Sequence, residues 1–291
     1  MGKNGQIGWE LQLTLAPLGE VVALGRPDLD LTEFDRLREV VREVGPEIIV
    51  NAAAYTDVDR AESEPVLAMA VNAHAPGVLA EEAARLGAVL VHFSTDYVFD
   101  GAKGKPYSEQ DTPNPLNVYG ESKLAGERAV EASGAVYLIL RTSWVYSLRR
   151  ECFVTKVLRW AHEQSVLKIA DDQVSTPTWC RVVAKASAQI LSYTGQTIRV
   201  FAERNSGLYH LAASGEASRY QWAEATLSEA SDHGWQTATE LLPSKSSQFR
   251  SAARRPPFSA LNCGESRARF SVEIPDWRIG LGNAFQEGGA I

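Results

Sequence analysis

Short apolar, β-rich runs alternate along this chain with stretches of helical composition. The runs are Glu20–Leu24, Glu47–Asn51, Ala88–Phe93, Val136–Leu140 and Gly207–Leu211. Between and after them Thr32–Val44, about 64–86, Phe153–Gln164, Trp179–Ser192, Arg219–Ser231 and Asp276–Gln286 read as helices. Strands alternating with helices pair in parallel, because each crossover returns along a helix. The pattern predicts an α/β fold with an open, doubly wound parallel sheet. In such a sheet chemistry sits just past the carboxyl ends of the strands.

Two strand-end segments stand out. The run ending at Phe93 passes directly into Ser94-Thr95-Asp96-Tyr97. Further on, Asn114-Pro115 marks a turn, and the Ala, Lys and Glu that follow are helix formers. Tyr119 and Lys123 are four apart and share one helical face. A lysine ammonium near a phenol favours the phenolate and lowers its pKa. A tyrosine tuned this way exchanges a proton with a substrate oxygen near neutral pH. A Ser or Thr hydroxyl from the strand end holds the same oxygen. Tyr-x-x-x-Lys alone is ordinary helix surface; behind a Ser-Thr-Asp strand end, in a chain with a glycine-rich start, it points to hydride transfer at a C–OH centre.

That start is Met1-Gly2-Lys3-Asn4-Gly5-Gln6-Ile7-Gly8, with Gly2, Gly5 and Gly8 three apart, followed by a helix through Leu15. Glycines in a turn before a helix admit a pyrophosphate to the backbone N–H groups at the positive helix end. Such a turn ordinarily follows a strand, and only Met1 precedes Gly2. The expectation is a truncated first strand, short of its natural start by roughly five or six residues, leaving a gap beside the cofactor. The run ending at Leu24 leads to Gly25-Arg26. An acidic residue there binds the ribose 2′-hydroxyl of NAD, whereas arginine accommodates the 2′-phosphate of NADP. Arg26 therefore predicts NADPH, with NADH left open. Ala52-Ala53-Ala54-Tyr55 after the next run leaves room for a flat ligand. Asn72, on the long helical stretch, is counted with the cofactor-binding residues.

Composition excludes several classes. With 29 basic and 36 acidic residues the net charge is −7, so there is no nucleic-acid footprint. No apolar run reaches the roughly 20 residues of a membrane span, and no signal peptide is visible. Cys152, Cys180 and Cys263 are scattered, without metal spacing, which suits a reduced, cytoplasmic setting. The five histidines lack ligand spacing. Trp144, past the run that ends at Leu140, is placed to cover a substrate or to pack. The stretch 244–269 reads as irregular and basic, with Arg250, Arg254, Arg255, Arg267 and Arg269 suited to a diphosphate or to solvent.

The segments Val50–Thr56, Ala61–Pro65, Ser94–Phe99, Pro115–Gly120 and Arg141–Tyr146, with Gly2–Gln12, resemble nearly end to end the short-chain dehydrogenase/reductases of the extended type. Within them they resemble the dTDP-4-dehydrorhamnose reductase family. The resemblance implies a Rossmann-like domain over residues 1–146 and a smaller substrate-binding lobe over 147–291, with some chain interleaved. It implies NADPH-dependent reduction of the C4 ketone of a dTDP-4-dehydro sugar. Thr95, Tyr119 and Lys123 match the catalytic residues. Gly5, Gln6, Ile7, Asp30, Leu31, Ala53, Ala54 and Tyr55 match cofactor contacts, with Lys123 on the nicotinamide ribose. Thr95, Asp96 and Trp144 match sugar contacts.

Some relatives hold magnesium between subunits through acidic side chains. Glu10 and Glu287 match two of those positions, and the third falls near Arg181, which disfavours a cation. The expectation is no metal, with a homodimer left open. Two other readings stand beside the reductase. Dehydratases and epimerases share the fold, but a dehydratase typically shows Asp-Glu where this chain has Asp96-Tyr97. A non-catalytic NADP-binding regulatory subunit, like the β subunit of methionine adenosyltransferase, also looks like this family.

Overall fold

A computed structural model of the chain describes residues 1–192, 198–235 and 239–287. Helix α1 (Gln6–Leu15) opens the chain and α2 (Phe34–Val44) follows, closed by Gly45 in the left-handed conformation at φ 57°. Strand β1 (Ile48–Asn51) leads to a helical stretch of Pro65–Met69, a π-type turn Ala70–His74, and α3 (Ala75–Leu86). Then come β2 (Val89–Thr95), α4 (Val118–Ala132), β3 (Val136–Thr142), α5 (Phe153–Glu163), β4 (Val166–Ala170) and α6 (Cys180–Leu191). The chain continues through α7 (Ile198–Asn205), β5 (Gly207–His210), α8 (Arg219–Asp232), β6 (Glu240–Ser244), α9 (Gly264–Phe270) and α10 (Trp277–Glu287).

The central sheet has the order β1-β2-β3-β5 and every pairing in it is parallel. Its strands are apolar on both faces because helices cover both. Val91, Leu138 and Leu140 face one core with α1 and α6, while Leu90 and Ile139 face another with α2 and α3. The fourth strand of this sheet comes from the later half of the chain, so the halves interleave. A separate parallel pair, β4 with β6, belongs to the later half alone.

The expected strand at Glu20–Leu24 does not form. Leu24 accepts bonds from the backbone N–H groups of Gly2 and Lys3, at 2.8 and 3.1 Å, and Met1 donates its amino group to Val50 at 2.7 Å. Among the described residues no strand ladders with residues 20–23, and Val21 and Val22 are exposed. The stretch read as irregular contains α9, and β4, β6 and α7 were not expected. Among the described residues no helix is long and apolar enough to cross a membrane.

Candidate active site

The carboxyl ends of β2 and β3 lie side by side, with Ser94 opposite Arg141 and Thr95 opposite Thr142. Helix α4 starts just above them. Its cap is Asn117, whose side chain accepts the Gly120 N–H at 2.8 Å, satisfying one of the donors a helix start leaves open. Gly120 sits where a Cβ would lie 2.3 Å from the Tyr97 carbonyl oxygen, so only glycine lets α4 press onto the strand end. That contact brings Tyr119 to Thr95.

These residues line a cleft of about 1520 Å³. Gly2, Gly5, Gln6, Ile7, Arg26, Asp30, Leu31, Ala53, Ala54 and Tyr55 form one side of it; Thr95, Asp96, Tyr119, Lys123 and Trp144 lie on the other. Two of the residues expected at the cofactor stand behind the cleft. Gly8 is buried, and a Cβ there would be 2.0 Å from the Gly2 carbonyl oxygen, so its part is to let α1 close on the turn. Asn72 is fully buried. Its amide accepts the Tyr55 N–H at 2.8 Å and donates to the Tyr55 carbonyl at 3.0 Å and the Ser122 hydroxyl at 3.0 Å. It holds the Tyr55 loop to α4.

The glycine side fits a dinucleotide. Helix α1 begins without a side-chain cap, and Gln6 Oε1 is buried without a partner among the described residues. Gly2, at φ 84°, is in the left-handed region that favours glycine, and a Cβ there would meet the Ala53 backbone at 2.8 Å. Arg26 is exposed and pairs with Asp30 at 3.3 Å, while Asp30 also caps Thr32. Arg149 donates to the Gly5 carbonyl at 3.1 Å and Arg150 to that of Asn4, strapping the later half over the turn.

The chemistry at α4 departs from the expected tuning. Tyr119 is half-buried, and desolvation pushes its phenol above the ordinary range; the neighbouring Thr95 hydroxyl opposes this. Lys123 shares the helix face but is drawn inward. Its ammonium donates to the Phe93 carbonyl at 2.7 Å and lies 3.4 Å from His92 Nε2. Burial lowers its pKa to about 8, with Glu127 pulling the other way. The groups acting on the Tyr119 phenol are burial, the Thr95 hydroxyl and the charges of Asp96 and Tyr97. Below it, Glu127 takes a bidentate bond from Arg141, at 2.8 and 2.6 Å, and the Ser94 hydroxyl at 2.5 Å.

Of the outer wall, Trp144, Arg250 and Arg255 were expected from sequence, whereas Arg219, Trp222 and Phe153 were not. Trp144 adopts φ 39°, a strained conformation for a bulky residue. Its ring stacks on Trp222, with centroids 5.5 Å apart, and the Arg219 guanidinium lies 3.6 Å over it. Arg219 also faces Phe153, and no ion pair to it is found among the described residues. The Ser218–Gln221 capping box marks the helix start that presents Arg219, and it could have been read from the sequence. Of the basic loop, Arg250 and Arg255 reach the cleft. Arg255 pairs with Asp59 at 2.6 Å and holds that carboxyl well below its usual range. Arg267 and Arg269 lie elsewhere, on α9.

Glu10 and Glu287 are bridged by Arg181, which donates to Glu10 at 2.9 and 3.4 Å and pairs with Glu287. Their negative charge is answered by a guanidinium, so these residues do not fit a magnesium ion.

With this geometry in place, comparison with known proteins decides the family. The family model for the RmlD substrate binding domain matches residues 1–289. The chain belongs to the dTDP-4-dehydrorhamnose reductase family. A relative from Burkholderia thailandensis bearing that name is 41% identical over 97% of this chain and 95% of its own. The Escherichia coli K12 reductase is 40% identical over 98% and 96%. Among solved structures, the Bacillus anthracis reductase in complex with NADP superposes with a TM-score of 0.88 at 33% identity, covering 98% of this chain and 97% of that one. A UDP-glucose 4-epimerase from Thermus thermophilus, at 19% identity and TM-score 0.77, shares the fold.

Proposed function

We propose that this member of the dTDP-4-dehydrorhamnose reductase family reduces the C4 ketone of dTDP-4-dehydro-β-L-rhamnose to the alcohol with NADPH, as the last step in making dTDP-L-rhamnose, in the cytoplasm. The observation that carries this reading is the meeting of Thr95 and Tyr119 in one cleft with the uncapped glycine turn of α1. NADPH, when bound, supplies the hydride.

The residues do the rest. Tyr119 keeps its proton until negative charge develops on the ketone oxygen, because burial disfavours the free phenolate; it then gives that proton to the new alkoxide. The Thr95 hydroxyl steadies the same oxygen as charge grows. Lys123, anchored on the Phe93 carbonyl, would hold the nicotinamide ribose. Gly2, Gly5, Gln6 and Ile7 would hold the pyrophosphate, Arg26 the 2′-phosphate, and Asp30, Leu31, Ala53, Ala54 and Tyr55 other parts of the cofactor. Trp144 covers the sugar. Residues 1–146 supply mainly the cofactor half and 147–291 mainly the substrate half. A dehydratase is disfavoured because the position after Asp96 is Tyr97, a buried phenol near the Arg219 and Arg255 guanidiniums, with no carboxylate there.

Purified protein mixed with NADPH and the dTDP-4-dehydro sugar tests the reading. Loss of absorbance at the reduced-nicotinamide band is the expected result. Tight NADPH binding without that loss overturns it in favour of a regulatory module.

A further inference from the structure

Behind the cleft a second polar chain runs across two strands to Lys123. Asn51 ends β1 and His92 is its partner in register on β2. Both side chains are fully buried, and Lys123 keeps 2% of its surface. Neither Asn51 nor His92 lines the cleft, whereas Ala53, Phe93 and Lys123 do.

The hydrogen bonds fix how this chain is polarised. The Ala53 N–H donates to Asn51 Oδ1 at 3.2 Å. The NH2 end of the same amide is therefore the end that meets His92 Nδ1, at 3.1 Å. Burial, and after it the Lys123 charge, hold the His92 pKa well below the ordinary histidine value, so the ring is neutral. A neutral imidazole has one N–H and one bare nitrogen. Nδ1 accepts from Asn51, so the hydrogen is on Nε2, the nitrogen 3.4 Å from Lys123 Nζ. An N–H accepts nothing from an ammonium. The opposite tautomer would turn a bare nitrogen to Lys123 and draw one of its hydrogens inward.

Among the described residues, the acceptor that the ammonium does find is the Phe93 carbonyl at 2.7 Å. The other charge acting on Lys123 is Glu127, already taken by Arg141 and Ser94. An ammonium has three N–H groups, so two are left for the cleft. We propose that Asn51 and His92 are positioning residues for Lys123: Asn51 places the hydrogen on His92 Nε2, and that N–H denies the lysine an internal acceptor, which keeps two ammonium N–H groups for the nicotinamide ribose. Through Oδ1 the same asparagine holds the Ala53 backbone, so one side chain sets both the lysine and a cofactor loop. This role rests on the reading above of Lys123 as a cofactor contact.

NADPH titration of Asn51→Asp tests it. The new carboxylate keeps the Ala53 bond but draws a hydrogen onto Nδ1, so NADPH should bind about tenfold more weakly. In a His92→Phe background the same substitution should cost less than about twofold, because no ring nitrogen faces the lysine. Equal losses in the two backgrounds overturn the proposal, since a merely structural asparagine costs the same in both. Nitrogen NMR of labelled histidine is the second measurement and needs no folded Asn51→Asp. At pH 7 the His92 ring, identified by its absence from His92→Phe, should show a bare Nδ1 and a protonated Nε2; a hydrogen on Nδ1 overturns the proposal. Wild type that fails to bind NADPH overturns the cofactor reading and this role with it. Wild type that binds NADPH while the losses are equal overturns this role alone.

Discussion

On the sheet side of the cleft, polar groups arrive already partnered. Asp96 is ringed by hydroxyls, Glu127 is locked by Arg141 and Ser94, and Lys123 is anchored on the Phe93 carbonyl. On the glycine side, among the described residues, α1 starts uncapped, Gln6 Oε1 has no partner, and residues 20–23 run without a ladder. The polar groups around the proposed reacting centre are held by the protein itself, whereas the proposed cofactor side leaves donors and acceptors open. In the proposed reaction this puts preorganisation next to the oxygen on which charge develops.

Substitutions on the two sides sharpen this contrast. Glu127→Ala leaves the Arg141 guanidinium buried and unpaired, and should cost about 3–5 kcal/mol of stability; chemical denaturation reads it, and a loss below about 1 kcal/mol would show the sheet side to be loosely built. Tyr119→Phe removes the proton donor and its bond with the Thr95 hydroxyl, so turnover should fall about a hundredfold or more while NADPH titration is unchanged; retained turnover removes the proposed acid. On the glycine side, Gly8→Ala drives a methyl into the Gly2 carbonyl and should weaken NADPH binding about tenfold, read by fluorescence titration, with thermal melting as a control.

Lys123 gives a pH-dependent case. Its pKa is lowered to about 8 in the fold from an ordinary value of 10.5. Below pH 8 it is charged in both folded and unfolded chains, so the burial penalty is present in full. Between pH 8 and 10.5 the unfolded chain binds more protons, and stability rises with pH. Lys123→Met should therefore stabilise the cofactor-free protein by about 1–3 kcal/mol at pH 7, a gain that fades as pH climbs through that window, even as turnover is lost. A gain that grows with pH would reverse the assignment. The smallest effect is expected at exposed Arg26. Arg26→Ala should weaken NADPH by about fivefold to tenfold and leave NADH unchanged; equal loss of both would make it a plain surface residue.

The parallel sheet was legible because β2 and β3 are β-rich runs with polar ends, and the Asn114-Pro115 turn followed by helix formers announces α4. Tyr119, Lys123 and Thr95 were legible because their spacing follows from helix and strand periodicity. Glu20–Leu24 was read as a strand from its own composition, but a strand is made by its neighbour's hydrogen bonds. β4 and β6 were missed for the converse reason: each is short, and they find each other across about 70 residues.

The sequence by itself determined which residues can carry chemistry: a phenol and an amine one helical turn apart, a hydroxyl at a strand end, glycines before a helix. Only the tertiary structure decided how those groups are set. Lys123 turns down to a strand carbonyl rather than up to Tyr119, Asn72 and Gly8 stand behind the cleft rather than in it, and Ser143, Ser175 and Ser259 gather on Asp96 from segments far apart in the chain. The reason is physical. Spacing fixes which face of an element a side chain leaves from, but its partner, burial and charge state depend on what the rest of the chain packs against that face.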